Sequence, residues 1–453
     1  MRAAPGALQT AQGALQTAEG DEADVLVHAE RSGFARFAGS AVHQPTLVED
    51  ESVTIRVVRD GRVGMATTNR TDEDALRSAG RRAAEMADVG PADPTFPGLA
   101  QPEPLPEITG FDPETAELTA GDQSARAWSA IEAAPRHELS GYFTSGLVEL
   151  AVASTTGLAA SQALTDARMV AIATRDGGSG YADATAWAAA GVDPAAVADE
   201  AVSKAERTRD PTPLEPATYR AVLEPYAVAE LLWYFAFSSL NALALLEGRS
   251  YLSGRIGERI FHPSLSLADD ALSSGGLPAA FDFEGVPKRR VDLVAAGVAR
   301  DVVWDRRTAQ RAGRHSTGHA LPSSEQSFGP IPFNLALAPG GASPEELAEA
   351  VGEGIYVTRL HYVNVVDERE GIFTGVTRDG TFRIERGRVT RPLANARFTV
   401  SLPALLRDVL ALGRETKLVG QSDFYGERHA HAVLAPALAS ASFRVTGASA
   451  GER

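Results

Sequence analysis

Apolar residues recur along this chain with two different periods. Near the start, Leu8, Ala11 and Leu15 of GALQTAQGALQTAEG fall on one side of a helix. The near-repeat in that segment has only two units, too few for a solenoid. The period then drops to two. ADVLVHAERSGFARFAGSAVHQ and ESVTIRVVRDGRVGMATTN alternate as strands do, and Asp60-Gly61 is a hairpin signal. TDEDALRSAGRRAAEMADV returns to a helical period, with Thr71 or Asp72 as N-cap and acids in the first turn.

The pattern then breaks. Seven prolines between Pro91 and Pro113 rule out regular structure and predict a long surface connection. A helix is expected over 120–134. The strand-like runs GLVELAVAS, ALTDARMVAIAT and GYADATAW follow, then a helix over 195–208. DPTPLEPATY is the best boundary, near residue 214. Beyond it Tyr226 to Leu246 reads as one long apolar helix, expected to be buried on nearly all sides with Trp233 and Phe237 inside. Strands and turns fill the rest, with helices near 343–352 and 402–412. The class is α+β: an N-terminal α/β domain with an antiparallel sheet over residues 1–214, and a β-rich C-terminal domain with a long buried helix over 215–453.

Composition narrows the function. Hydrophobic residues make up 44% of the 453 positions and charged residues 23%, ordinary for a globular protein. The formal charge of −16 argues against phosphate backbones and anionic membrane surfaces as partners. There is no cysteine, which removes disulfides, thiolate ligands and a cysteine nucleophile together. The first twenty residues lack a signal peptide's apolar core, and no run reaches 18 apolar residues, so the expected setting is the cytoplasm.

Residue chemistry alone reveals no catalytic constellation. His28, His43, His137 and His262 stand alone. His137-Glu138 lacks the second histidine a zinc-peptidase helix needs. His315 and His319 have i,i+4 spacing, but Ser316, Thr317 and Gly318 between them are poor helix formers. His429 and His431 alternate as on a strand and would face the same side. Asp282 and Glu284 of FDFEGVP sit where a turn is expected. No glycine-rich phosphate loop and no nucleophile elbow is present.

Several blocks nonetheless resemble, in order, those of the TldD/PmbA family of peptidase subunits. They are RFAGSAVHQ with VRDGRVGMATTN, YLSGRIGE, FDFEGVPKRR, RHSTGHA, ALAPGGASPEEL, EGIYVTRL and TGVTRDGTFRIERGRVTRPL. The family's catalytic chains carry His-Glu-x-x-x-His after a Leu-Leu pair, sixteen residues before the glutamine or arginine of a Ser-Gly-x-x-Gly-Glu block. This chain keeps the frame: Leu231-Leu232, six positions, sixteen residues, then Arg255. The resemblance matches Trp233, Tyr234 and Ser238 to the first His, the Glu and the second His. It matches Tyr425, before Gly426, to a cysteine ligand.

Such a chain is similar to the family's non-catalytic, TldE-type subunit. The resemblance implies no metal in this chain, zinc in a TldD-type paralogous partner, a heterodimer, and a shared chamber for peptide or unfolded-protein substrates. His361, Tyr362 and Asn364, with His319, His429 and His431, are the candidate chamber residues. Two other readings are a stand-alone peptide-binding scaffold and a hydrolase with a rebuilt histidine site.

Overall fold

The computed structural model describes residues 6–421, 427–429 and 431–448. Its first half is built on six antiparallel strands: β1 (Glu22–Ala38), β2 (Ala41–Arg59), β3 (Arg62–Thr68), β4 (Glu138–Ser154), β5 (Ala159–Arg175) and β6 (Gly178–Ala186), in the order β3-β2-β1-β4-β5-β6. Asp60 and Gly61 take φ of 48° and 71°, the left-handed pair that a two-residue hairpin requires. Ser40 does the same at φ 55° beside Gly39, a turn that the sequence signals only weakly.

Alternation along the strands decides which layer each side chain enters. Val25 and Val27 of β1 and Val53, Ile55 and Val57 of β2 pack under α1 (Ala7–Leu15) and α2 (Glu73–Val89). Asp72 caps α2 by accepting from the Ala75 N–H at 3.1 Å. Ala167, Met169 and Ala171 of β5 pack under α4 (Ala120–Ala133) and α5 (Pro194–Arg207). The short α3 (Pro113–Ala116) closes the proline-rich connection. The opposite face of the sheet presents Leu26, Leu150 and Val152 to Phe281 and Val286 of the second half. His28, Asp166 and Arg168 share that face by the same alternation.

The second half holds an 11-stranded mixed sheet of β7 (Ala217–Leu223), β8 (Leu267–Asp269), β9 (Val291–Ala295), β10 (Val298–Ala299), β11 (Asn334–Leu337), β12 (Gly354–Asp367), β13 (Ile372–Glu385), β14 (Arg388–Leu393), β15 (Ala396–Ser401), β16 (Val409–Gly420) and β17 (Ala432–Ala448). β17 pairs with both β15 and β7, so β7, β12, β13, β15 and β17 close into a ring. The fold is α+β, an antiparallel sheet with helices on one face followed by a β-rich unit.

The expected single helix over 226–246 is two: α6 (Pro225–Ser239) and α7 (Ala242–Leu246). Asn241 makes the break. Its side chain donates to the Phe237 carbonyl at 2.6 Å and accepts from the Ala244 N–H at 2.8 Å, ending one helix and capping the next. The expected helix at 402–412 is likewise cut to α10 (Leu402–Arg407), because Val409 begins β16. The remaining helices are α8 (Arg306–Ala312) and α9 (Pro344–Val351). Arg306 on α8 donates to the carbonyls of Pro97, Gly98 and Leu99 at 3.2, 2.7 and 2.8 Å, tying the proline-rich segment to the second half.

Candidate functional site

α6 carries the positions at which the family resemblance places a metal motif, and it has two unlike faces. Leu231, Leu232, Phe235 and Ala236 are buried in the main core. Trp233 and Tyr234 are only half-buried, and Phe237 is 37% exposed, touching Phe328 at 5.4 Å. The helix is therefore not enclosed on all sides, and Phe237 is not inside. One stripe of α6, formed by Glu230, Trp233, Tyr234 and Phe237, is less buried than the rest.

That stripe is occupied by aromatic packing. The Trp233 indole stacks on the His431 imidazole with centroids 4.4 Å apart. Phe333 stacks on the other ring of the pair, 5.2 Å from His431 and 6.2 Å from Trp233. Ser238 lies on the buried side, and its hydroxyl donates to the Tyr234 carbonyl at 2.9 Å. These residues do not fit zinc. An indole offers only an N–H donor, and the Ser238 hydroxyl is turned into its own helix. Among the described residues, no group of three or more His, Asp and Glu side chains is placed to hold a metal ion. Tyr425, the fourth motif position, lies outside the described residues.

The two histidines expected to face the same side diverge. His431 turns to α6, whereas His429 turns to the first sheet, with its ring 5.3 Å from His28 and 5.0 Å from Phe283. They precede β17 instead of lying within it, so strand alternation does not apply. Burial, together with His28 and His431, pushes the His429 pKa down to about 3, so it is a neutral imidazole. Arg428, immediately before His429, is the anchor. It forks onto Asp166 at 2.7 and 2.6 Å and donates to the Thr144 hydroxyl at 3.1 Å.

His315 and His319 are also separated. His315 is exposed, while His319 is buried, with Nε2 2.9 Å from Asp269 Oδ1 and Nδ1 2.9 Å from the Thr317 hydroxyl. Gly318 between them has φ 76°, which excludes a helix. Desolvation and nearby Lys288 hold His319 below its usual pKa. Despite burial, His319 holds Asp269 below the carboxylate range. Asp282 lies in the turn its sequence suggests. One oxygen accepts from the Glu284 and Val286 N–H groups at 2.9 and 3.0 Å, and the other from Ala320 at 2.8 Å. Burial, with the neighbouring Glu284 carboxylate, raises its pKa above the usual carboxylate range.

The candidate chamber strand β12 is interior to its sheet, between β13 and β7. A bulge interrupts its pairing with β13 between His361 and Asn364. Tyr362 occupies the bulge at φ 50° and stands 75% exposed, its ring 4.3 Å from that of His361. Asn364 is exposed and donates to the Tyr362 carbonyl at 2.9 Å. His361, Tyr362 and Asn364 thus form one cluster, distinct from His319, His429 and His431.

Residues that the sequence does not mark as site candidates complete the site. His28, Gln162, Phe281, Lys288, Asn334 and Arg428 line a recess between the two halves. His319 and His429 open onto it, and Phe333 separates it from Trp233. Glu230, one turn before Trp233 on α6, is raised to about 7 by burial, with Arg359 and Arg168 pulling the other way. Strand alternation would have placed His28 and Asp166 on the inner face. Nothing local indicates that residues 262 apart, Asp166 and Arg428, meet there.

Comparison with known proteins fits this arrangement. The family model for the PmbA/TldA metallopeptidase C-terminal domain matches residues 216–447, and that for domain 1 matches residues 23–87. A metalloprotease of Methanothermobacter thermautotrophicus is 28% identical over 223 residues, 48% of this chain and 47% of that protein. A zinc metalloprotease TldD homolog of Saccharolobus solfataricus is 29% identical over 139 residues, 28% of this chain and 31% of that protein. The chain thus spans about half the length, or less, of these curated relatives. The structure of TldE from Thermococcus kodakarensis superposes with a TM-score of 0.85 at 20% identity, covering 97% of this chain and 99% of that one, which shows a shared fold. With about half its length matched by the C-terminal domain model alone, the chain belongs to the PmbA/TldD metallopeptidase family.

Proposed function

We propose that this chain is a non-catalytic subunit of a two-component zinc metallopeptidase. In this reading it supplies chamber wall and substrate contacts to a paralogous chain that holds the metal. The observation that carries the reading is the stack of Trp233 on His431 at the motif position, 4.4 Å between centroids. A packed aromatic group there takes up the space in which ligands and a metal-bound water would have to sit. Ser238, turned into its helix, supports the same reading. The likeness in fold to a protein described as TldE is consistent with it.

Chemistry would then fall to the partner, and this chain's part would be binding. Extended peptides are held by main-chain hydrogen bonds with little side-chain selectivity. The bulge at Tyr362 and Asn364 is the segment we assign to that contact, since it presents exposed polar groups beside an unpaired stretch of backbone.

Metal content of the isolated chain tests the reading. After dialysis against a weak chelator, elemental analysis should find well under one zinc per chain. Stoichiometric zinc that survives the chelator would overturn the non-catalytic assignment.

A further inference from the structure

The recess between the two halves contains a cation with no partner. Lys288 is 7% exposed, and it lines the recess together with Phe281, Phe333 and Asn334. Among the described residues its ammonium has no hydrogen-bond or ion-pair partner; its recorded contact is the Phe333 ring, 6.0 Å to the centroid. Its three N–H donors thus have no acceptor from the protein at the edge of the recess, where a bound acceptor could meet them.

The nearby carboxylates are committed elsewhere. Asp269 takes its hydrogen bonds from His319 and from the Asn334 N–H at 2.8 Å. Asp282 takes its three from backbone N–H groups. Both act on Lys288 electrostatically, yet desolvation outweighs them and holds the lysine below its usual pKa. The neighbouring imidazole of His429 is neutral and adds no charge. The unmet demand of the recess is therefore for an anionic oxygen carried on an apolar body.

We propose that this recess is a binding site for a monocarboxylate with an apolar or aromatic body, its carboxylate on Lys288 and its body against Phe281 and Phe333. The ligand is either a small organic acid or the free C-terminus of a peptide ending in an apolar residue. The site does not require that the chain work with a catalytic partner.

Isothermal titration calorimetry on the full chain tests it, with 3-phenylpropanoate and its amide as probes. The acid should bind, and the amide about tenfold to a hundredfold more weakly, the cost of losing a charge-assisted hydrogen bond. Lys288→Met, which keeps the stem and removes the charge, should abolish the difference. If that variant does not fold, the contrast between acid and amide in the unmodified chain still decides. A pair of peptides ending in phenylalanine, one with a free and one with an amidated C-terminus, separates the sources. Binding of the free peptide alone of that pair assigns the site to C-termini. Rejection of both, with 3-phenylpropanoate bound, assigns it to small acids. Equal affinity for acid and amide, or no binding of any acid, would overturn the proposal and leave Lys288 a buried cation served by water.

Discussion

Phe235 and Phe237 lie two residues apart on α6 and should respond to truncation in opposite ways. Phe235 is fully buried, with its ring 6.2 Å from Tyr251 and 6.1 Å from Phe261. Its truncation to alanine removes a whole ring from close packing, and these neighbours sit on separate segments that cannot all move in. Such sites cost about 3–5 kcal/mol. Phe237 is 37% exposed and touches Phe328, itself 49% exposed. Its truncation should cost on the order of 0.5–1 kcal/mol, close to a surface substitution. For a unit of this size the first change lowers Tm by on the order of 10 °C and the second by a few degrees at most. Calorimetric scans of both variants and the parent, at one scan rate, measure the difference. Equal losses would refute the two-faced helix, and a larger loss at Phe237 would restore the fully enclosed helix that the sequence suggests.

Glu230, the Arg428–Asp166 pair and the motif positions each carry a further expectation. Glu230 has its pKa raised to about 7, so the stability tied to its neutral form is complete below its unfolded value and lost as pH rises through about 7; Glu230→Gln should flatten that decline in a pH series of melting curves. Arg428→Ala leaves Asp166, 2% exposed, without its partner, and should destabilise by about 3–5 kcal/mol, whereas Arg428→Met with Asp166→Asn should recover much of it; a melt of the pair that is no better than the single variant would contradict this. Trp233→His, Tyr234→Glu, Ser238→His and Tyr425→Cys together should fail to give chelator-sensitive peptide cleavage, because position 238 is fully buried and has no room for an imidazole.

Much of this architecture was legible because the relevant signals are local. The Asp60-Gly61 turn, the Asp72 cap and the alternating runs of the first sheet need only neighbours in sequence. The break at Asn241 was not legible, since apolar residues continue through it and only the two hydrogen bonds of one side chain end the helix. Period also misled at His429 and His431. They read as strand positions, yet they lie ahead of β17, where Arg428 and Asp166 fix the path of the chain. Trp233 and Phe237 read as core because apolar character is all a sequence shows; which stripe of an all-round apolar helix is covered depends on β12 and β17 beneath it. The recess was invisible for a stronger reason. His28, Lys288 and Arg428 come from three distant segments, and each taken alone is an ordinary residue.

In the proposed reading, peptide hydrolysis requires this chain but is carried out by a paralogue. The most direct measurement is cleavage of an unstructured peptide by three preparations: this chain, a family paralogue that carries His-Glu-x-x-x-His, and the two together. The expected result is a stable complex of the two chains, chelator-sensitive cleavage by the mixture, and none by this chain alone. Cleavage by this chain alone, or full activity of the paralogue without it, would contradict the account.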